Sequence, residues 1–182
     1  MQTTDFITKL LSLGVIIGQI FILCAVLYFI FWRKTQNSIA EFIGKRGLLL
    51  AFIVTLISIL GSLYYSNIVG FPPCELCWFQ RIFMYPLFFL LGLALIKKET
   101  HITVYALMLA IIGGIISLYH NYMYYYNQGL DSFCQLGGTQ VSCIKQYVFE
   151  FGYVTIPLMA LTAFILIAIF LVVYRCRRTP TN

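Results

Sequence analysis

Charge is what this chain has least of. Charged residues fill 10% of its 182 positions, against roughly 25% in an ordinary globular domain. Hydrophobic residues make up 61% of the chain, and its mean hydropathy is +0.90. A chain so poor in charge cannot dress the surface of a soluble domain, so lipid is the solvent for most of it. The net charge of +6 therefore does not point to nucleic acid. Where the basic residues fall along the chain matters more.

Other features are missing too. A secretory signal carries a basic cluster ahead of its apolar run and a small-x-small cleavage site behind it. Here Lys9 alone precedes the first run, while Arg33 and Lys34 follow it. The sequence thus predicts an uncleaved helix whose N-terminus lies outside. No internal repeat, low-complexity tract or soluble domain is visible, and the length fits one domain.

What is present is apolar length. The runs 10–32, 47–66, 74–96, 102–122 and 151–174 are each long enough to cross a bilayer as a helix. Gly113-Gly114 in the fourth run predicts close helix contact, and Pro157 predicts a kink in the fifth. Tyr119, Tyr122, Tyr124, Tyr125 and Tyr126 predict an aromatic belt at an interface. The fold class is all-α, a polytopic membrane helical bundle.

Five crossings sort the basic residues by side. Arg33, Lys34, Lys45, Arg46, Lys97, Lys98, Arg175, Arg177 and Arg178 fall on one side; Lys9, Arg81 and Lys145 fall on the other. The positive-inside rule makes the first group cytoplasmic. Residues 67–80 and 123–150 then form two outer loops, and 33–46 form a charged linker. Of the six cysteines, Cys74, Cys77, Cys134 and Cys143 belong to these outer loops, in an oxidising compartment. Cys24 reads as membrane-buried filler, and Cys176 as a reduced cytosolic thiol.

The stretch Pro72-Pro73-Cys74-Glu75-Leu76-Cys77-Trp78-Phe79-Gln80-Arg81 organises the rest. A helix starting near Cys74 places Cys74, Cys77 and Arg81 on one face. A helix N-terminus and a nearby guanidinium both favour the thiolate, which is the reactive form. Arginine inside a membrane helix marks a candidate functional site; the bland reading is a side chain snorkelling to the headgroups. Haem attachment is excluded, because Trp78 stands where histidine would follow the second cysteine. A four-cysteine zinc site fits poorly, since the second pair is not a zinc knuckle. Two static disulfides and a redox-active pair both remain open. His120 closes the fourth run at the level of Arg81, placed either as a polar helix end or to serve an apolar redox ligand.

These residues together resemble the disulfide bond formation protein B (DsbB) family, on its shorter BdbC-like branch. The resemblance rests on CELCWFQR with Pro73 before it and Met84-Tyr85-Pro86 after it, on SLYHNY around His120, on Cys134 and Cys143, and on FGYVTIPLMAL in the last run. It spans about 47–174 and implies a four-helix membrane enzyme in the bacterial cytoplasmic membrane. That enzyme would pass electrons from an extracytoplasmic thioredoxin-fold oxidase, DsbA- or BdbD-like, to a membrane quinone, ubiquinone or menaquinone.

By position, the resemblance makes Cys77 the quinone-facing thiolate and Cys74 its disulfide partner. Arg81 would stabilise that thiolate and the reduced quinone, and His120 would sit near the quinone. Cys134 would form the mixed disulfide with the partner oxidase, and Cys143 would relay to Cys74. No metal is implied. Gln80 departs from the acid that some members carry, and helix 10–32 has no counterpart in the four-helix core. The expected division is therefore 1–46, an additional N-terminal helix with its linker, and 47–182, the redox domain. A vitamin K epoxide reductase-like oxidase and a stapled membrane scaffold are the alternatives.

Overall fold

A computed structural model of the chain describes residues 2–31, 38–126, 143 and 147–178. Cys134 and Lys145 lie outside the described residues. Five helices follow one another: α1 (Gln2–Phe31), α2 (Ser38–Leu63), α3 (Glu75–Lys97), α4 (Ile102–Tyr126) and α5 (Ile156–Arg178). All five are long and apolar enough to cross a membrane. The expected polytopic helical bundle is what forms, with α2–α5 as the core and α1 against α5.

Several boundaries differ from expectation, each for a local reason. Residues 38–46, read as linker, are the first turns of α2. Glu41 and Lys45, four apart on one helix face, bridge at 2.7 Å there. The fifth helix starts at Ile156 rather than Phe151. Phe151 and Gly152 both take positive φ, 52° and 79°, in a turn closed by Glu150 and Val154. Pro157 consequently falls in the first turn of α5, where its missing N–H costs nothing, and it makes no kink.

Lipid is as apolar as a leucine side chain, so close packing holds membrane helices together. Small residues carry that packing here. A Cβ on Gly113 of α4 would meet the Phe164 ring of α5 well inside contact distance. This is the close approach that Gly113-Gly114 predicted. Gly47 of α2 faces the Phe170 carbonyl and Tyr174 of α5 in the same way. Leu87, Leu91, Ala106, Ala110, Ile167 and Leu171 fill the space between α3, α4 and α5. Thr55 and Ser117 satisfy their hydroxyls on carbonyls one turn back, at 2.8 and 2.9 Å.

The bundle has two unlike ends. At one, Arg175 donates to Thr103 and Gly44 lies against Arg177; Lys45, Arg46, Lys97 and exposed Cys176 belong to the same end. At the other, α2 closes in a wide π-helical turn, Tyr64–Ile68. The starts of α1, α3 and α5 and the end of α4 gather around it. The basic residues and the cysteine pair are therefore separated by the length of the bundle.

Candidate functional site

Two prolines and the N-terminus of α3 build the site. Cys74 is not the first helical residue but the N-cap, with extended backbone at φ −73° and ψ 170°. Its Sγ accepts from the Cys77 N–H at 3.4 Å, and its carbonyl accepts from Trp78 N–H at 3.1 Å. A sulfur thus does the work usually given to a serine or aspartate oxygen. Both cysteines are free thiols, with Sγ atoms 2.7 Å apart. Little movement separates that from the ~2.05 Å of a disulfide.

His120 comes to this pair from the end of α4. The sequence placed it at the membrane edge beside Arg81; it is instead 2% exposed, in the interior. Its Nε2 lies 3.9 Å from Cys74 Sγ and 3.3 Å from the Cys143 carbonyl. Its Nδ1 lies 3.3 Å from the Gln80 amide nitrogen. An amide nitrogen only donates, so Nδ1 accepts and the proton sits on Nε2, which donates to the Cys143 carbonyl. Gln80 therefore fixes the tautomer, and neutral His120 ties the outer loop to the cysteine pair. Cys143 is itself disulfide-bonded and 4% exposed.

The Cys74 thiol is pushed well above its ordinary range, first by its hydrogen bond with Cys77 and then by burial, while His120 pulls the other way. It keeps its proton at neutral pH. Cys77 lies in the first turn of α3, one turn before Arg81. The Arg81 guanidinium does not bond to sulfur. Its Nε donates to Ser62 Oγ at 2.9 Å and its Nη2 to the Ser62 carbonyl at 3.0 Å. Its plane also lies over the Trp78 ring, 5.3 Å from the centroid. Ser62 thus holds Arg81 inside the bundle instead of letting it reach for the headgroups.

A cavity of about 580 Å³ opens from these groups. Cys74, Cys77, Gln80, Arg81, His120 and Tyr124 line its polar end, and aliphatic side chains line the rest. Tyr124 was expected in an interfacial belt. Because α4 continues to Tyr126, Tyr124 turns inward and is 3% exposed, with a hydroxyl that has no partner. A buried orphan donor at the head of an apolar cavity fits an amphiphile with a carbonyl on its polar ring.

Metal is a weaker fit. Cys74, Cys77 and His120 offer three donor atoms within 4.8 Å of one another. Two sulfurs on a tetrahedral zinc sit roughly 3.8 Å apart, from Zn–S bonds of ~2.3 Å, so this pair would have to part.

The structure thus brings Cys74, Cys77, His120 and Cys143 together and sets Arg81 at the cavity wall; Cys134 is outside the described residues. Sequence reasoning missed Ser62, Gln80 and Tyr124 as members of the site. Gln80 carried a signal, being polar three residues after Cys77 in an apolar helix. Ser62 and Tyr124 carried none.

The segment 44–174 matches the family model described as Disulfide bond formation protein DsbB. The chain is 48% identical over 126 residues to Disulfide bond formation protein C of Bacillus subtilis (strain 168), covering 66% of this chain and 86% of that protein. It is 46% identical over 127 residues to Probable disulfide formation protein C 1 of Bacillus anthracis, covering 69% and 88%. It is 40% identical over 127 residues to a Probable disulfide formation protein of Oceanobacillus iheyensis, covering 68% and 85%. No solved structure matches the chain at a significant level.

Proposed function

Because the chain belongs to the disulfide bond formation protein DsbB family, we propose that it reoxidises an extracytoplasmic thioredoxin-fold oxidase and passes two electrons to a membrane quinone. The observation that carries this reading is the Cys74–Cys77 dithiol at the polar head of a membrane-depth apolar cavity. A dithiol there has an electron acceptor's site beside it, which a static staple does not need.

A bound quinone would accept two electrons and two protons and leave as the hydroquinone. The chain's own residues do the rest. Closing the Cys74–Cys77 disulfide releases two electrons and two protons. Cys74 holds its proton until late, so Cys77 bears the charge, favoured by the helix N-terminus and by Arg81. Arg81, Tyr124 and His120 line the polar end, where they orient a carbonyl and keep bulk water out. On the outer loop, a disulfide between Cys134 and Cys143 oxidises the partner by thiol–disulfide exchange through a mixed disulfide on Cys134. The Cys143 thiol released then attacks Cys74 and restores its own bond as the inner pair is reduced. The hydrogen bond from His120 to the Cys143 carbonyl keeps that attack short-ranged.

The test is an absorbance titration of purified protein with ubiquinone or menaquinone and a reduced thioredoxin-fold partner. One quinone should be consumed for each partner disulfide formed. Partner oxidation without quinone loss, or bound zinc beside free thiols, sinks the reading.

The orientation is part of the proposal: the cysteine end faces outward and the basic end faces the cytoplasm. Ile68 is 72% exposed at the cysteine end, and Cys176 is exposed at the basic end. In intact cells a membrane-impermeant thiol reagent should label the Ile68→Cys variant at position 68. Cys176 should be labelled only after permeabilisation. Labelling of Cys176 from outside reverses the topology.

A further inference from the structure

The additional helix α1 lies before the family-matched segment 44–174. It is not merely appended. Leu10, Leu11, Gly14 and Val15 form one wall of the cavity that begins at the cysteine pair. The facing walls come from α2 and α5, through residues such as Ser58 and Ala160. Without α1 this side of the cavity would face lipid directly.

The helix is seated by bonds, not only by grease. Gln19 donates to Thr162 Oγ1 of α5 at 3.4 Å. Its Oε1 accepts from the Tyr153 hydroxyl at 2.9 Å. Gly18 lets α1 approach until an added Cβ would touch the Leu166 side chain at 2.9 Å. Phe21 and Phe170 meet one turn further on, with ring centroids 5.4 Å apart. Side-chain hydrogen bonds between membrane helices fix register and rotation as well as adding affinity. The face of α1 turned to the cavity is therefore a defined one.

Within that face Gly14 differs from the other close-packed glycines. A Cβ there would meet nothing within 4 Å. The space beside it is the cavity. The cavity is polar only near Cys77 and His120, and it is aliphatic where α1 closes it. Such a gradient matches a molecule with a polar ring at one end and a long branched hydrocarbon at the other.

We propose that α1 forms the binding wall for the isoprenoid tail of the quinone, and that Gly14 sets how much tail the cavity admits. The proposal rests on the quinone reading above. Its prediction concerns the tail, whereas that reading concerns the ring and the electrons, so the two can fail separately.

The experiment measures dissociation constants by quenching of tryptophan fluorescence, using one quinone with a single isoprene unit and one with several. Reduction rates of both are measured with a reduced thioredoxin-fold partner. Gly14→Phe puts a ring into empty space, so it should fold without displacing a neighbour. It should weaken binding of the long-tailed quinone about tenfold relative to the short-tailed one, with a matching shift in KM. Ile20→Phe is the control, because Ile20 is 56% exposed and does not line the cavity; it should leave the ratio at its wild-type value. Gln19→Leu removes both bonds to α5 and should shrink the wild-type preference between tails. If the wild type binds and reduces both quinones but Gly14→Phe leaves their ratio unchanged, or Ile20→Phe shifts it equally, α1 is not the tail wall and the quinone reading stands. If the wild type reduces neither quinone, both fall.

Discussion

Replacing Arg81 with methionine should slow quinone-dependent oxidation about a hundredfold, the scale of losing a preorganised charge donor. Arg81→Lys should slow it less, by about tenfold. The guanidinium is forked: its Nε and Nη2 both bond to Ser62, at 2.9 and 3.0 Å. That leaves the remaining N–H groups directed by a fixed plane rather than a flexible stem. Lysine keeps the charge and loses the fork. Ser62→Ala should fall between wild type and Arg81→Lys, because it loosens the fork without removing charge. The measurement is single-turnover partner oxidation, with and without quinone, at matched protein amounts. Exchange between the partner and the Cys134–Cys143 pair should be spared in every variant. An unchanged quinone-dependent rate in Arg81→Met would make Arg81 an anchor only, held by Ser62 for packing.

Replacing Cys77 with alanine should abolish quinone-dependent turnover, because no disulfide can then close on Cys74. The same substitution carries a second readout of opposite sign. The first cause that holds the Cys74 thiol above its ordinary range is its hydrogen bond with Cys77. Removing Cys77 should let Cys74 titrate at lower pH. More thiolate is then present at any given pH below the ordinary thiol range, and alkylation of Cys74 should quicken. Burial still opposes ionisation, so the rate should rise without reaching that of an exposed thiol. Alkylation followed against pH in reduced protein checks this. Turnover that survives in Cys77→Ala would remove the pair from the chemistry; an unchanged alkylation profile would mean that burial alone governs Cys74.

The parts of this protein that could be read in one dimension are those that one dimension encodes. Apolar runs give membrane helices, and basic residues sort by side. Cys74, Cys77 and Arg81 fall on one face because their spacing is helical. Gly113 was legible as a contact because glycine in a membrane helix has few other uses. What could not be read depends on which helix lies beside which. Arg81 could be placed inside the bundle, but its holder, Ser62, is 19 residues upstream. Tyr124 looked like its four tyrosine neighbours, and only the extension of α4 to Tyr126 turns it inward. Pro157 signals both a kink and a first turn, and the left-handed pair Phe151 and Gly152 decides between them. His120 was recognised as polar and out of place, yet its tautomer needed Gln80, 40 residues away.

The π-helical turn at Tyr64–Ile68 has a consequence for how this segment can change over evolutionary time. A π turn is one residue wider than the α turn it replaces, so it absorbs a single-residue length change and nothing else. Between the Arg81-holding Ser62 and the capping Cys74, individual side chains can be exchanged freely as long as the count is kept. Losing one residue would narrow the turn to α spacing and rotate Tyr65 and all that follows by about a third of a circle, given 3.6 residues per turn. Relatives that keep both the serine and the cysteine cap are therefore expected to vary in letters along this stretch but not in length. A relative with one residue fewer there is expected to end its second helix in ordinary α geometry, with the arginine anchored somewhere else.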